Sequence, residues 1–293
     1  MSPSYTYYPG CSVQATSRDY SESIRAVAGP LGLELVELDD WNCCGATAYM
    51  NVNEVLSFCL TARNLALAAK HGREVCTACS SCYQNLCKTN RYLESYPELR
   101  EKVNRALAEA QLSYEGGVET KHLLEVVARD VGLARVQELV RRPLEGVRVA
   151  AYYGCQTLRP TGADDPERPT MLEELVAALG AEVTSFPLKT WCCGGSLMGT
   201  NEKVALRLCR NLLACAADVK AEVICVVCPL CQFNLEVYQR RVNRAYGTHF
   251  AVPVLYFTQL IGLALGLRRR ELGLQRAIVP PAGPLARLVG VPA

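Results

Sequence analysis

The chain repeats one cysteine pattern twice, and this duplication limits its possible folds more than any other feature of the sequence. The letters CCG occur at positions 43–45 and again at positions 192–194. In both places 34 residues separate the cysteine pair from a CxxC motif, which reads CSSC in the first half and CPLC in the second. A further cysteine precedes each pair, separated from the first pair by 31 residues and from the second by 36 residues. Such internal repetition predicts two copies of one folding unit.

Each half therefore contributes five cysteines in the same order. The first set is Cys11, Cys43, Cys44, Cys79 and Cys82, and the second set is Cys155, Cys192, Cys193, Cys228 and Cys231. Neighbouring cysteines rarely form a disulfide with each other, because their Cα atoms lie about 3.8 Å apart and a disulfide needs about 4.4–6.8 Å. The N-terminus shows no secretory signal, so the sixteen cysteines predict a cytoplasmic protein whose clustered thiols hold metal.

The stretches around the cysteines predict where they lie in the fold. The candidate strands are Tyr5–Tyr8, Leu35–Leu38, Glu74–Thr77, Val147–Tyr153, Glu182–Ser185 and Glu222–Val227. Strands that alternate with helices are typical of parallel α/β units, in which ligands gather at the carboxyl ends of the strands. We therefore predict two pseudo-symmetric repeats, each a small parallel sheet with flanking helices. The expected domains are residues 1–145 and residues 146–293, the second with a C-terminal tail.

One apolar stretch imitates a membrane span. Residues 251–266 carry no charge, and three arginines follow at positions 268–270. The stretch is shorter than the roughly 20 residues that a spanning helix needs. Its counterpart at positions 118–129 contains several charged residues, so both are predicted to be a short strand leading into a buried helix. The formal charge of +2 also argues against a nucleic-acid-binding protein.

Five thiols per repeat exceed what common metal sites use. A structural zinc takes four ligands, and so does a cubane [4Fe–4S] cluster. The run CTACSSCYQNLCK at positions 76–88 approaches the cubane pattern, but its last gap is four residues and no proline follows. Thiolates suit both zinc and iron–sulfur clusters, and the pattern favours an iron–sulfur assembly with an unusual ligand set over structural zinc.

The duplicated pattern resembles the cysteine-rich CCG domains found in the B subunit of heterodisulfide reductase, from Cys11 to the helix after Phe257. The resemblance implies that each cysteine set binds one non-cubane [4Fe–4S] cluster, so that the chain carries two. It also implies a disulfide oxidoreductase, in which facing clusters each supply one electron and each capture one sulfur of the disulfide. Similar domains serve succinate, lactate and glycerol-3-phosphate oxidising complexes. An electron-transfer subunit of such a dehydrogenase complex is therefore the alternative, and a zinc-stabilised scaffold is a third hypothesis.

The resemblance also implies partners. The chain has no GxGxxG fingerprint and no regular ferredoxin run that would supply electrons. We therefore expect a complex with two further subunits of the heterodisulfide reductase assembly, namely a ferredoxin-like iron–sulfur subunit (the C type) and a flavoprotein subunit (the A type). The substrate would be a small disulfide or thiol. The tail after Arg268 is predicted to be an extended arm, free or laid on a partner. The segment after Gly266 is the expected docking surface, and the loop Arg159–Pro169 is predicted to serve substrate entry.

Few residues outside the cysteine sets are candidates for chemistry. Lys121, His122 and Arg159 are the candidates for binding substrate or donating a proton, although a helix cap or surface pair is favoured for the first two and a solvated loop for the third. Asn85 and Asn234 recur after each CxxC motif, and a helix-capping role is favoured over orientation of a ligand.

The other six cysteines are not expected to bind metal. Two of them, Cys76 and Cys225, recur three residues before each CxxC motif and are predicted to pack behind the ligands or in the core, with replacement of a ligand as the alternative. The remaining four are predicted to be core thiols, namely Cys59, Cys87, Cys209 and Cys215.

Overall fold

A computed structural model describes residues 3–46, 49–160 and 162–290 of the chain. The first repeat has four strands, β1 (Ser4–Tyr8), β2 (Glu34–Glu37), β3 (Val75–Thr77) and β4 (Thr120–His122). Its helices are α1 (Gly10–Gln14), α2 (Arg18–Leu31), α3 (Tyr49–Val52), α4 (Glu54–Ala69), α5 (Ser80–Ser95), α6 (Pro97–Ala108), α7 (Leu123–Glu125) and α8 (Leu133–Glu138), with a π-helical segment at Val126–Gly132. The strands are parallel in the order β2-β1-β3-β4.

The second repeat has the same topology. Its strands are β5 (Arg148–Tyr152), β6 (Glu182–Val183), β7 (Val223–Val226) and β8 (Val254–Tyr256). Its helices are α9 (Met171–Ala178), α10 (Glu202–Asp218), α11 (Pro229–Val237), α12 (Gln239–Tyr246), α13 (Phe257–Ala264) and α14 (Gly283–Val289), with 3-10 turns at Gly195–Gly199 and Leu274–Arg276. Its parallel order is β6-β5-β7-β8, so the predicted pair of α/β repeats is confirmed.

The six predicted strands all form, and the two apolar stretches behave as the sequence indicates. Positions 118–129 and 251–266 each contain a short strand, β4 or β8, that continues into a helix. Helix α13 is buried along its whole length of eight residues. Within the described part of the chain, no helix combines the length and the apolar character needed to cross a bilayer.

The two repeats share a packed core. Helix α2 presents the buried residues Tyr20, Ser23, Ile24, Val27 and Leu31 at helical spacing, and this face packs against α13. The ring of Tyr20 stacks on Tyr256 with centroids 3.8 Å apart, and the Ser23 and Thr258 hydroxyls lie 2.7 Å apart. Because a helix of the first repeat packs against a helix of the second, the repeats are held at a fixed orientation.

The C-terminal tail differs from the prediction. Instead of forming a free or partner-bound arm, it packs on its own chain as far as residue 290, while Pro292 lies outside the described residues. Leu272 and Leu285 are fully buried, and Leu272 lies against Gly262, where any Cβ would overlap it. Apolar residues between the arginines and prolines explain the difference, because burying a leucine contributes about 1.5–3 kcal/mol.

Candidate metal centre

In each repeat the loops after three strands place the cysteines at one edge of the sheet. The loop after the outer strand carries the adjacent pair, and the CxxC motif begins at the residue that caps α5 or α11. Between them lies the loop after the central strand, where Gly10 and Gly154 adopt φ values of +72° and +68°. This edge is the carboxyl end of a parallel sheet, where such folds bind their ligands.

Sulfur atoms from different loops approach each other in both repeats. In the first set Cys11 Sγ lies 3.6 Å from Cys43 Sγ, and Cys44 Sγ lies 3.5 Å from Cys82 Sγ. The second set repeats the latter contact, with 3.5 Å between Cys193 Sγ and Cys231 Sγ. Of the ten cysteines, six are buried, two are half-buried and two are exposed, so the sets run from a buried interior to an open rim.

The two sets also contact each other. The thiol of Cys79, the first cysteine of the first CxxC motif, hydrogen-bonds Cys228, the corresponding cysteine of the second repeat. Both residues are buried, and both cap the helix that follows. The equivalent cysteines of the duplicated unit therefore meet where the two repeats face each other.

A cavity of about 250 Å³ opens beside this contact. All five cysteines of the second set line it, together with Ser80 and Ser81 from the first repeat. Ser80 Oγ lies 2.6 Å from Thr157 Oγ1, and Ser81 donates to the side chain of Gln156, so hydrogen bonds between the repeats fix the cavity wall. The sequence analysis did not single out these serines, because only the packing of the repeats brings them to the second set.

Two tyrosines hold the loops that carry the adjacent cysteines. Tyr8 donates its hydroxyl to the carbonyl of Asn42 at 2.8 Å, and Tyr152 donates to the carbonyl of Trp191 at 2.7 Å. Each acceptor immediately precedes a cysteine pair. The sequence contains a signal for these two tyrosines, because they recur in the YYPGC and YYGC motifs just before the glycine and cysteine of the central loop.

Asn85 and Asn234 do not cap helices, which corrects the favoured prediction. The Asn85 amide donates to the carbonyl of Cys44 and, at 2.9 Å, to Thr61 Oγ1. The Asn234 amide donates to Gly195 O at 2.9 Å and to Cys193 O at 3.3 Å. Each amide lies inside its helix and reaches the loop of the cysteine pair, so it fixes the backbone of that loop.

Hydrogen bonds among the thiols separate their pKa values. A hydrogen bond from Cys11, with a smaller contribution from Cys44, lowers the pKa of Cys43 to about 2. In the second set the hydrogen bond from Cys155 lowers the pKa of Cys192 to about 6, and those from Cys231 and Cys79 lower the pKa of Cys228. The pKa values of Cys11 and Cys155, which donate these bonds, are raised. Each set thus favours a thiolate, the form that binds metal.

Lys121, His122 and Arg159 are absent from the described residues that line the cavity. Lys121 pairs with Glu74 at 3.0 Å and with Asp130 at 3.3 Å. Arg159 is held inside its own loop by Glu167 at 2.5 Å, and Thr161 of that loop lies outside the described residues.

His122 caps α7, the role that the sequence favoured. Its Nδ1 accepts from the amide of Leu124 at 3.2 Å, and its Nε2 lies 3.5 Å from Ser80 Oγ. Burial lowers the pKa of His122 to about 4, so the ring is neutral at pH 7. Through this contact His122 touches a residue of the cavity wall.

The other cysteines follow the core prediction only in part. Cys76 and Cys225 are fully buried within β3 and β7. Cys209 is buried too, and its thiol donates to the carbonyl of Cys193 at 3.3 Å, so it also supports the second set. The other three are half-buried, and two of them, Cys59 and Cys215, pack against the hydrophobic core; the third is Cys87.

The geometry of the sets suits a bulky inorganic group bound by sulfur. Within the described residues, no three Cys, His, Asp or Glu side chains are arranged to hold a single metal ion. The five thiols of the second set instead surround a cavity. A Cβ at Gly10 would lie 2.8 Å from Cys82 Sγ, and one at Gly154 would lie 3.0 Å from Cys231 Sγ. Only glycine leaves these cysteine sulfurs room there, and thiolates suit iron–sulfur clusters.

Comparison with protein families matches this pattern twice. The family model described as CCG, a cysteine-rich domain, matches residues 5–87 and 149–236. One solved structure, described as a hypothetical protein from Helicobacter pylori, aligns with a TM-score of 0.76 at 18% sequence identity. The alignment covers 96% of this chain and 54% of that one, so the chain spans about half its length. At this identity the likeness concerns the fold.

Three curated relatives match along nearly their whole length. The 8-methylmenaquinol:fumarate reductase membrane anchor subunit of Wolinella succinogenes is 34% identical, over 95% of this chain and 98% of that protein. A protein of Archaeoglobus profundus described as like the B subunit of heterodisulfide reductase is 32% identical, with coverages of 89% and 90%. The B subunit of the ferredoxin/F(420)H(2)-dependent CoB-CoM heterodisulfide reductase of Methanosarcina acetivorans is 28% identical, with coverages of 98% and 97%.

Proposed function

Because this chain belongs to the family of heterodisulfide reductase B subunits, with its duplicated cysteine-rich CCG domain, we propose that it is the catalytic iron–sulfur subunit of a disulfide-reducing complex. The observation that carries the proposal is the contact between Cys79 and Cys228, which joins the two cysteine sets beside one cavity. Cleaving a disulfide takes two electrons, and two neighbouring one-electron centres match that requirement.

The ten thiols of the two sets would hold two non-cubane [4Fe–4S] clusters, one in each repeat. When bound, such clusters supply electrons singly and offer iron atoms that bind sulfur. The residues around them fix the ligand loops: Tyr8 and Asn85 hold the first cysteine pair, and Tyr152 and Asn234 hold the second. Held ligands need little rearrangement between redox states, which favours repeated electron transfer.

The substrate would enter the cavity that the second set shares with Ser80 and Ser81. Hydroxyl groups there can hydrogen-bond the polar part of a small disulfide, while the buried thiols at the inner end of the cavity lie away from bulk water. Neutral His122 supports this wall through Ser80 and, on this proposal, positions it without donating a proton. Electrons would arrive through a ferredoxin-like iron–sulfur subunit, itself supplied by a flavoprotein subunit.

Metal analysis and turnover test the proposal. Anaerobically purified protein should contain about eight iron and eight sulfide per chain, the content of two four-iron clusters. With reduced viologen as electron source, the loaded protein should convert small disulfides into two thiols. Stoichiometric zinc without iron would instead support a metal-stabilised scaffold, and the Cys228→Ser variant provides the control for turnover at the cavity.

A second function is favoured by one comparison. The similarity to a membrane anchor subunit of a menaquinol:fumarate reductase fits an electron-transfer subunit of a dehydrogenase-type complex. This alternative predicts a fully iron-loaded protein that exchanges electrons with a quinol but leaves disulfides intact. Measuring both reactions on one preparation separates the two functions.

A further inference from the structure

A cationic groove lies between α10 and α12 of the second repeat. Its volume is about 470 Å³, and its rim carries Lys203, Arg241 and Arg244. Leu206 and Tyr246 provide an apolar floor, and Arg210 stacks over the Tyr246 ring at 5.9 Å. We call this surface the basic groove.

The charges of the basic groove are largely uncompensated. Lys203, Arg210 and Arg244 are exposed, and Glu202 is the single carboxylate among its described lining residues. Glu202 pairs with Arg241 at 2.8 Å. The chain as a whole has a formal charge of only +2, so this concentration of positive charge is local. A cationic rim around an apolar floor fits an acidic protein surface that inserts an apolar side chain.

The first repeat lacks this feature at the equivalent place. Asn53 caps α4 as Asn201 caps α10, so Val55 stands where the second repeat has Lys203. Tyr92 stands where the second repeat has Arg241. Glu54 pairs with Lys88 at 2.8 Å, and Lys88 lies over the rings of Phe58 and Tyr92. The duplicated fold therefore does not require a basic surface between these helices.

A short packed route leads from the basic groove to the second cysteine set. Leu206 of the floor lies three residues before Cys209 on α10, which is about 4.5 Å along the helix axis. The Cys209 thiol donates to the carbonyl of Cys193 at 3.3 Å. A partner that binds in the groove would thus contact a residue one helical turn from Cys209, which in turn hydrogen-bonds Cys193 of the second set.

We propose that the basic groove is the docking surface for an acidic, one-electron carrier protein that delivers electrons to the second cysteine set. The proposal rests on the proposed function in that the second set must hold a redox-active iron–sulfur group. In each encounter the reduced carrier loses one electron and the iron–sulfur group gains it, with no bond formed or broken. Two encounters supply the electrons for one disulfide.

A reduced plant-type ferredoxin, an acidic one-electron carrier, serves as the probe. Stopped-flow spectroscopy would follow its oxidation by the iron-loaded chain, and calorimetry with oxidised ferredoxin would measure affinity without electron transfer. The charge-reversed variant Lys203→Glu/Arg244→Glu should lower the second-order rate constant and the affinity by about tenfold or more at low salt. Reduction by dithionite should stay unchanged in this variant.

The matched control is Lys102→Glu/Arg105→Glu, which reverses two exposed charges on α6 of the first repeat. This control should change the rate by less than about twofold, because its charges lie outside the groove. Equal effects of the two variants, or no effect of either, would overturn the proposal. The proposal would also be overturned if the groove variant lost binding to phosphatidylglycerol vesicles while its ferredoxin kinetics stayed intact. The groove would then face a membrane.

These experiments distinguish a failure of the docking surface from a failure of the proposed function. A loaded chain that accepts electrons through the groove but leaves disulfides intact would refute disulfide reduction and support the docking surface. A chain that cleaves disulfides with viologen, yet takes electrons from ferredoxin equally well after charge reversal, would refute the docking surface alone.

Discussion

Replacing Gly10 by alanine tests whether the first cysteine set needs this glycine to leave room for a sulfur atom or only for its backbone conformation. Gly10 has a φ of +72°, and a Cβ there would lie 2.8 Å from Cys82 Sγ. Gly72 provides a matched control, because its φ is +62° and a Cβ there meets nothing within 4 Å. Both substitutions strain the backbone, and only Gly10→Ala also displaces Cys82, a proposed ligand.

The expected free energies follow from these contacts. The left-handed conformation costs a residue with a Cβ about 1–2 kcal/mol, so Gly72→Ala should lower the free energy of unfolding by that amount. Overpacking a tight site costs a further 1–3 kcal/mol or so, which brings Gly10→Ala to about 2–5 kcal/mol. Because Cys82 must move, the variant should retain about half of the iron, that of the second set alone.

Iron analysis and denaturant unfolding of the two variants, purified anaerobically side by side, provide the measurement. Gly72→Ala should keep the full iron content. If Gly10→Ala kept it too, or if both variants lost the same free energy of unfolding, the close approach of Gly10 to Cys82 would have no bearing on metal binding. Gly154→Ala should give the complementary result for the second set, because its Cβ would lie 3.0 Å from Cys231 Sγ.

Four further outcomes are expected. Cys44→Ser should lower the iron content by about half, because the two sets share no cysteine; loss of all iron would show that they are not independent. In iron-free protein Cys192, whose pKa is lowered to about 6, should react with iodoacetamide at a rate that levels off above pH ~7, while Cys155 stays slow. Burial raises the pKa of Glu236 to about 7 from its ordinary 4.5. The free energy of unfolding should therefore fall by up to about 3 kcal/mol as the pH rises from 4.5 past 7, and the Glu236→Gln variant should lose this pH dependence in denaturant unfolding. Leu272→Ala should cost about 2–5 kcal/mol in thermal or denaturant unfolding, whereas a tail bound only to a partner would show no loss.

The tail shows why local sequence can mislead. Arginines and prolines after Gly266 suggested an extended arm, yet Leu272 and Leu285 anchor it on the body of the chain. Composition averages over a segment, whereas a few apolar side chains suffice to hold it. Whether a complementary site exists for them depends on residues such as Gly262, which leaves the space that Leu272 fills.

The amides after the CxxC motifs make the same point at the metal centre. Asn85 and Asn234 follow a helix start, where capping is the usual role of asparagine. Their actual partners are carbonyl groups of the cysteine pairs, 41 positions earlier in the chain. Their recurrence is visible in the sequence, but only the fold brings each amide close to its acceptor.

The duplication, the parallel α/β repeats and the gathering of cysteines at the carboxyl ends of the strands can all be predicted from the sequence. These features follow from spacing and periodicity along the chain, and each of them is encoded within a single repeat. Tertiary structure alone decided that Cys79 meets Cys228, that Ser80 reaches the second set and that cations collect between α10 and α12. The physical reason is that such contacts depend on how two finished repeats pack, and that packing is set by a core whose parts, α2 and α13, lie more than 200 residues apart.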